Sequence, residues 1–160
     1  MITGGAGGLG QLFAKEIAKQ VEQATVILVG RSPSGHVLKN MEIPSNIRVV
    51  YERADVTDGH ALKTLLREIK QKYGVPKGII HSAGVVQDSL IRHKTKAELE
   101  AVMAAKVDGL IHLDQATQDV PLDFFSSAFH QDQRCGEVLD RPTMQLLMLL
   151  WTTLCTGVIV

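Results

Sequence analysis

With 160 residues, the chain has room for one domain that buries roughly two-thirds of the surface its unfolded form exposes. Its 17 Lys and Arg balance its 17 Asp and Glu, so no basic footprint points to nucleic acid, and two cysteines are too few for a disulfide framework. The six histidines show no metal-ligand spacing and the first residues lack a signal-peptide layout, so a reducing, cytoplasmic setting without metal or membrane is expected.

The chain opens on "MITGGAGGLG", only two residues of strand before a glycine loop, which suggests a domain entered part-way through its first strand. Beyond the glycines, Leu12, Phe13, Ile17 and Val21 recur at three-to-four spacing and predict a helix with one apolar face. "TVILVG" predicts a fully buried strand, being too short and too β-branched for a helix. "NIRVVYERADV" predicts another strand. Leu62, Leu65, Leu66, Ile69 and Tyr73 stripe the next helix, which Gly74 and Pro76 stop. "KGIIHSAG" supplies a further strand ending in small residues, and Thr95 with Glu98 forms a capping-box pattern opening a helix to about Gln115. This alternation predicts an α/β fold: a Rossmann-type doubly wound parallel sheet, truncated after about its fourth to fifth strand. Right-handed crossovers then put the C-terminal ends of all strands on one side, where ligands bind. Residues 1–125 form this unit, and residues 126–160 form an aberrant tail that does not fit it.

"TGGAGGLG" satisfies two glycine templates at once. Gly5, Gly7 and Gly10 fit G-x-G-x-x-G, whereas Thr3, Gly4, Gly8 and Gly10 fit T-G-x-x-x-G-x-G, with Leu9 inside the same cradle. In both, the backbone must turn tightly and approach a pyrophosphate with no β-carbon in the way, so that helix N–H groups meet the anion. A flexible loop would carry the same glycines, but a place between strand and amphipathic helix favours a dinucleotide. An NAD site usually has Asp or Glu about 20 residues further on. This chain has Gly30-Arg31-Ser32, whose guanidinium and hydroxyl suit a 2′-phosphate and favour NADPH; a solvated loop arginine is the alternative. Asp55, followed by Val56 in "ADVTD", ends the third strand and suits the adenine amine, although Asp55 or Thr57 would also serve as a helix cap. Ser82, Ala83 and Gly84 of "HSAG" would let a nicotinamide ribose lie against backbone; a plain tight turn has the same composition. Lys106 falls among Val102, Met103, Val107 and Leu110, on the stripe its helix is expected to bury, where a lysine ordinarily snorkels to solvent.

In series, "TGGAGGLG", "GRS", "ADVTD", "HSAGVVQDSL" and "AAKVDGLIHLD" resemble the ketoreductase domains of modular polyketide synthases, a branch of the short-chain dehydrogenase/reductase family. The resemblance covers residues 1 to about 125. It implies a fragment of an NADPH-dependent β-ketoacyl reductase that converts a β-ketoacyl thioester, held on an acyl carrier protein, to the β-hydroxyacyl form among the other domains of a multifunctional synthase. It assigns Lys106 the catalytic role of supporting proton delivery and lowering the pKa of a catalytic tyrosine. Asp88 matches the last acid of the family's leucine-aspartate-aspartate loop, which is associated with one product configuration; the other two positions differ, and a turn residue is the plain alternative.

The family places two serines ahead of that tyrosine, within G-x-x-G-Q-x-x-Y-A-x-A-N. This chain's tyrosines are Tyr51 and Tyr73, both far upstream, so the proton donor is missing. The ending "RPTMQLLMLLWTTLCTGVIV" offers a reason. Read one frame over, with the third base of each codon joined to the first two of the next, Met144-Gln145 forces alanine and Trp151-Thr152 forces aspartate. Met148-Leu149 allows only alanine or valine, and the intervening junctions permit Y-A-x-A-N-A-F-x-D. Junctions across residues 136–141 permit G-x-x-G-Q, and Phe129, His130 and Gln131 permit Ser-Ser at the family's distance from the tyrosine. The ketoreductase sequence is therefore expected to continue out of frame from near Phe125, leaving catalysis negligible and cofactor binding weak. Ser126 and Ser127 resemble the family serines but fall too early. A membrane segment is the rival explanation: residues 144–160 number 17, at the lower edge for spanning, with Gln145 inside, no basic flank and Trp151 mid-segment. A buried helix replacing lost strands is a third. A non-catalytic nucleotide-binding or structural module is the competing functional class.

Overall fold

Within β2 (Ala24–Gly30), neighbouring side chains serve opposite cores. Val26 and Leu28 pack with Ala14 and Ala18 of α1 (Gly8–Gln20), whereas Ile27 and Val29 pack with Leu65 and Ile69 of α2 (Gly59–Tyr73). A strand has a two-residue period, so helices on both faces require it to be apolar throughout, as "TVILVG" is. The computed structural model describes residues 1–33, 45–85 and 91–128; Asp88 and the tail beyond residue 128 lie outside them.

The sheet is the expected doubly wound one. Five parallel strands run in the order β3-β2-β1-β4-β5, with β1 at Ile2–Thr3, β3 at Ile47–Arg53, β4 at Gly78–His81 and β5 at Phe124–Ser127. Thr3 of β1 sits opposite Val29 on one side and His81 on the other. The chain winds outward through β2 and β3, then returns across β1 to add β4 and β5. The order thus reverses between β1 and β4, and the crevice above their C-terminal ends is the natural ligand position in such a sheet.

The helices correct two sequence expectations. On α1, Leu12 is 59 % exposed and Val21 is exposed at the helix end, while Gly10, Ala14 and Ala18 are buried, flanked by Phe13 and Ile17. At Gly10 the helix start lies against the glycine loop: a β-carbon there would stand 2.5 Å from the Gly5 Cα. On α2 the expected stripe of Leu62, Leu65, Leu66 and Ile69 is buried, with Tyr73 packed at its edge.

The second correction concerns Lys106. The expected capping box opens α3 (Lys96–Met103): Glu98 N–H donates to Thr95 Oγ1 at 3.2 Å and Thr95 N–H to Glu98 Oε2 at 2.8 Å. The helical path continues through a π turn (Ala104–Asp108) into α4 (Gly109–Thr117), two residues past the expected Gln115. Its buried stripe is Ala105, Gly109, Leu113 and Thr117, not the set around Lys106; Met103 and Val107 are exposed and Lys106 is half-buried. The wide π turn re-phases the helix, and such turns often occur at functional sites. Gly109 is small because a β-carbon there would lie 2.9 Å from Val56 Cγ2. Among the described residues no helix is long and apolar enough to cross a membrane.

Candidate functional site

The glycine loop is built of positions that cannot carry a side chain and one that can. Gly4 has φ +69°, and a β-carbon on it would stand 2.5 Å from the Ser82 carbonyl oxygen. Gly5 donates its N–H to Val29 at 3.1 Å, and its β-carbon would meet Leu28 Cβ at 2.6 Å. Gly7 N–H bonds the Gly4 carbonyl at 2.9 Å and closes the turn. Gly8 differs: a β-carbon there would meet no atom within 4 Å, so the fold itself does not require glycine at this position.

That open position begins α1. Asp58 caps α2 and Thr95 caps α3, but the Gly7 that precedes α1 offers no side-chain acceptor, and no acid occupies the first turn. The first helical bond runs from Gln11 N–H to the Gly7 carbonyl at 3.1 Å. The N–H groups of Gly8, Leu9 and Gly10 precede that ladder and, with the positive end of the helix dipole, suit an anion. Leu9 itself is half-exposed.

Arg31 and Ser32 follow β2 on the same side of the sheet. Arg31 Nη1 lies 3.9 Å from Asp55 Oδ2, a loose ion pair between solvent-exposed groups and therefore weak. Asp55 Oδ1 accepts from the Thr57 N–H at 2.9 Å and its hydroxyl at 2.8 Å. The cap alternative for Asp55 or Thr57 is corrected: Asp58 caps α2, accepting from the His60 and Ala61 N–H groups at 3.0 Å each. The bond from Ala61 leads the influences that hold its carboxyl below the usual range. Val56 packs with Leu62 and Leu113, and its carbonyl lies 3.2 Å from His112 Nδ1, so its backbone N–H is the group left to meet a ligand.

The crevice floor is a buried polar knot. Thr3 Oγ1 and His81 Nδ1 are 2.6 Å apart, and the Thr3 carbonyl accepts from both the Ser82 N–H at 3.1 Å and the Ser82 hydroxyl at 2.6 Å. Thr3 is wholly buried, so it fixes the floor rather than reaching a ligand. Ser82, Ala83 and Gly84 continue outward from it. A β-carbon on Gly84 would lie 3.9 Å from Lys106 Cε, so the lysine stem passes over the end of β4. Both tyrosine hydroxyls are committed elsewhere, Tyr51 to the Ser32 carbonyl at 2.8 Å and Tyr73 to Glu52 at 3.3 Å.

Residues 1–129 match the model of the KR domain family. The chain belongs to that family. It is 50 % identical over 129 residues to polyketide synthase PksL of Bacillus subtilis (strain 168), and 47 % identical over 128 residues to PksN of the same organism. Each match covers 78 % of this chain but only 3 % and 2 % of those synthases. Among solved structures it is similar to a ketoreductase domain from the bacillaene assembly line, at 48 % identity and a TM-score of 0.72, over 79 % of this chain and 31 % of that one. A short-chain dehydrogenase/reductase from Vibrio parahaemolyticus, 23 % identical with a TM-score of 0.61 over 78 % of this chain and 60 % of that one, shares the fold.

In this KR-family chain the sequence alone gave no sign of three contributors: Tyr51 and Arg53, which bond the backbone after β2, and His81, which ties β1 to β4. Burial holds the His81 ring below its ordinary value of 6.5, against the opposing pull of the Lys106 and Ala105 backbone. The ring is neutral in folded and unfolded chains above 6.5, so nothing is lost there. As pH falls through 6.5 the unfolded chain takes up the proton first, and stability drops until the lower folded-state value is passed. Denaturant unfolding at pH about 7.5 and about 5.5 checks this: the acid-side loss is expected to be smaller in His81→Asn than in wild type.

Proposed function

We propose that the chain is the cofactor-binding portion of an NADPH-dependent β-ketoacyl reductase domain of a polyketide synthase. In its complete form the domain reduces a β-ketoacyl thioester carried by an acyl carrier protein, beside the other domains of a cytoplasmic synthase. One observation carries the reading: the uncapped start of α1, open at Gly8, shares one end of the sheet with Arg31 and Ser32 to one side and Lys106 to the other.

The residues fit the dinucleotide. The N–H groups of Gly8, Leu9 and Gly10 bind its pyrophosphate. Arg31 exchanges its loose hold on Asp55 for the 2′-phosphate, with the Ser32 hydroxyl beside it. Ser82, Ala83 and Gly84 would offer the nicotinamide ribose a backbone surface, and the Asp55 carboxylate would accept from the adenine amine. When bound, the reduced nicotinamide supplies hydride to the ketone carbon. Lys106 stands at that end of the crevice and supports delivery of the balancing proton to the ketone oxygen.

The proton donor is absent from the chain as written, because Tyr51 and Tyr73 are held elsewhere and no tyrosine follows them. The family match ends at residue 129, in the stretch where the shifted frame begins to permit the family's residues, which supports a frame change there. Arg31→Ala tests the cofactor assignment: NADPH affinity is expected to fall about tenfold, close to the loss of one charge-assisted contact, with NADH affinity unchanged. Equal losses for both nucleotides would contradict it.

A further inference from the structure

Three successive backbone carbonyls, from the last residue of β2 onward, are held by donors from the end of β3 and the residue that follows it. Gly30 accepts from the Ala54 N–H at 3.1 Å, Arg31 from Arg53 Nε at 3.0 Å, and Ser32 from the Tyr51 hydroxyl at 2.8 Å. Tyr51 and Arg53 are two apart on one strand, so they share a face. Tyr51 is buried, and Gly30 makes room for its phenol: a β-carbon on Gly30 would stand 2.7 Å from the hydroxyl oxygen. Arg53 is exposed and donates Nε to the Arg31 carbonyl, which puts its guanidinium beside the turn. Glu52 lies on the other face of the strand, with Lys72 at 3.9 Å.

Charge gives this clamp a use. A phosphate monoester carries about −1.5 to −2 near pH 7. Arg31 alone brings one positive charge, held only loosely by Asp55 at 3.9 Å, and so leaves part of the phosphate charge unmatched. Arg53 makes no ion pair among the described residues and supplies the missing cation beside the same turn.

We infer that Arg53 is a second specificity-determining cation for the 2′-phosphate and that Tyr51 is the positioning residue that holds the Arg31–Ser32 turn toward it. The inference rests on the NADPH reading proposed above. Both side chains act only on the phosphorylated end of the dinucleotide, so they alter the choice between NADPH and NADH rather than nucleotide binding in general.

The test is titration of the 160-residue chain with NADPH and with NADH, for wild type, Arg53→Gln, Arg53→Lys and Tyr51→Phe, with thermal unfolding followed in parallel. Arg53→Gln is expected to lower NADPH affinity about fivefold to tenfold and leave NADH within twofold, and Arg53→Lys to recover most of the loss because it keeps the charge. Tyr51→Phe keeps the ring and is expected to cut the NADPH preference about threefold with NADH unchanged. A wild-type preference that survives Arg53→Gln intact, or an equal loss for both nucleotides, overturns this inference alone. A wild-type chain that prefers neither nucleotide, or takes up neither, overturns the NADPH reading and the inference with it.

Discussion

Restoring the reading frame beyond residue 129, where the family match ends, is expected to raise NADPH-dependent reduction of a β-ketoacyl thioester mimic from background by at least about 10²–10⁴-fold, the usual worth of a positioned general acid. The physical reason is division of labour. The described residues hold the glycine cradle, the Arg31 turn and Lys106, but reduction leaves negative charge on the ketone oxygen, and on the reading proposed above the tyrosine that would protonate it is lost with the frame. Tyr51 sits under the Arg31 turn and Tyr73 bonds Glu52, so neither substitutes. Frame repair is expected to return a tyrosine, two serines that position the oxygen and the later strands that enclose the substrate. In the repaired protein, Lys106→Met is expected to cost about 10²-fold in kcat, as is replacing the restored tyrosine with phenylalanine. Comparable turnover by unrepaired chain would show that another group delivers the proton. Coding DNA in which no single-base shift recovers the tyrosine motif would remove the premise.

The second large effect separates folding from binding within one loop. Gly8→Val is expected to leave the thermal midpoint within a few degrees of wild type, since a β-carbon there meets no atom within 4 Å. It should nevertheless weaken NADPH and NADH alike by more than about tenfold, because a branched side chain would stand in the path of the pyrophosphate that both share. Gly5→Val should do the reverse, failing at folding before binding becomes measurable. Its β-carbon would lie 2.6 Å from Leu28 Cβ and 2.9 Å from Leu28 Cα, and the Cα cannot move without displacing β2. Overpacking of this kind costs about 1–3 kcal/mol even where side chains can give. Thermal unfolding and nucleotide titration on the two variants distinguish these outcomes. Unaltered binding by Gly8→Val would place the dinucleotide elsewhere.

The parallel sheet was legible because buried strands leave continuous apolar runs such as "TVILVG", and helices such as α2 leave large residues at regular spacing. The inner face of α1 was not. Gly10, Ala14 and Ala18 carry little hydrophobic signal, so the larger Leu12 and Val21 drew the stripe away from the true contact. Lys106 stands out by its surroundings in the chain, yet its place on the helix differs from the expected stripe, since a π turn shifts the phase and no residue pattern announces it. Asp58 rather than Asp55 or Thr57 caps α2 because several short polar residues crowd that turn, and only the backbone path selects among them. Arg31 and Ser32 were visible as a dipeptide, whereas Tyr51 and Arg53 were not, since their partners are backbone carbonyls on another strand.

A fluorescence titration of the unmodified 160-residue chain with NADPH and with NADH bears most directly on the cofactor site. Saturable though weak NADPH binding is expected, about tenfold tighter than NADH and weakened more than about tenfold by Gly8→Val. Equal affinities, or no uptake of either nucleotide, would contradict a phosphorylated dinucleotide seated at the start of α1.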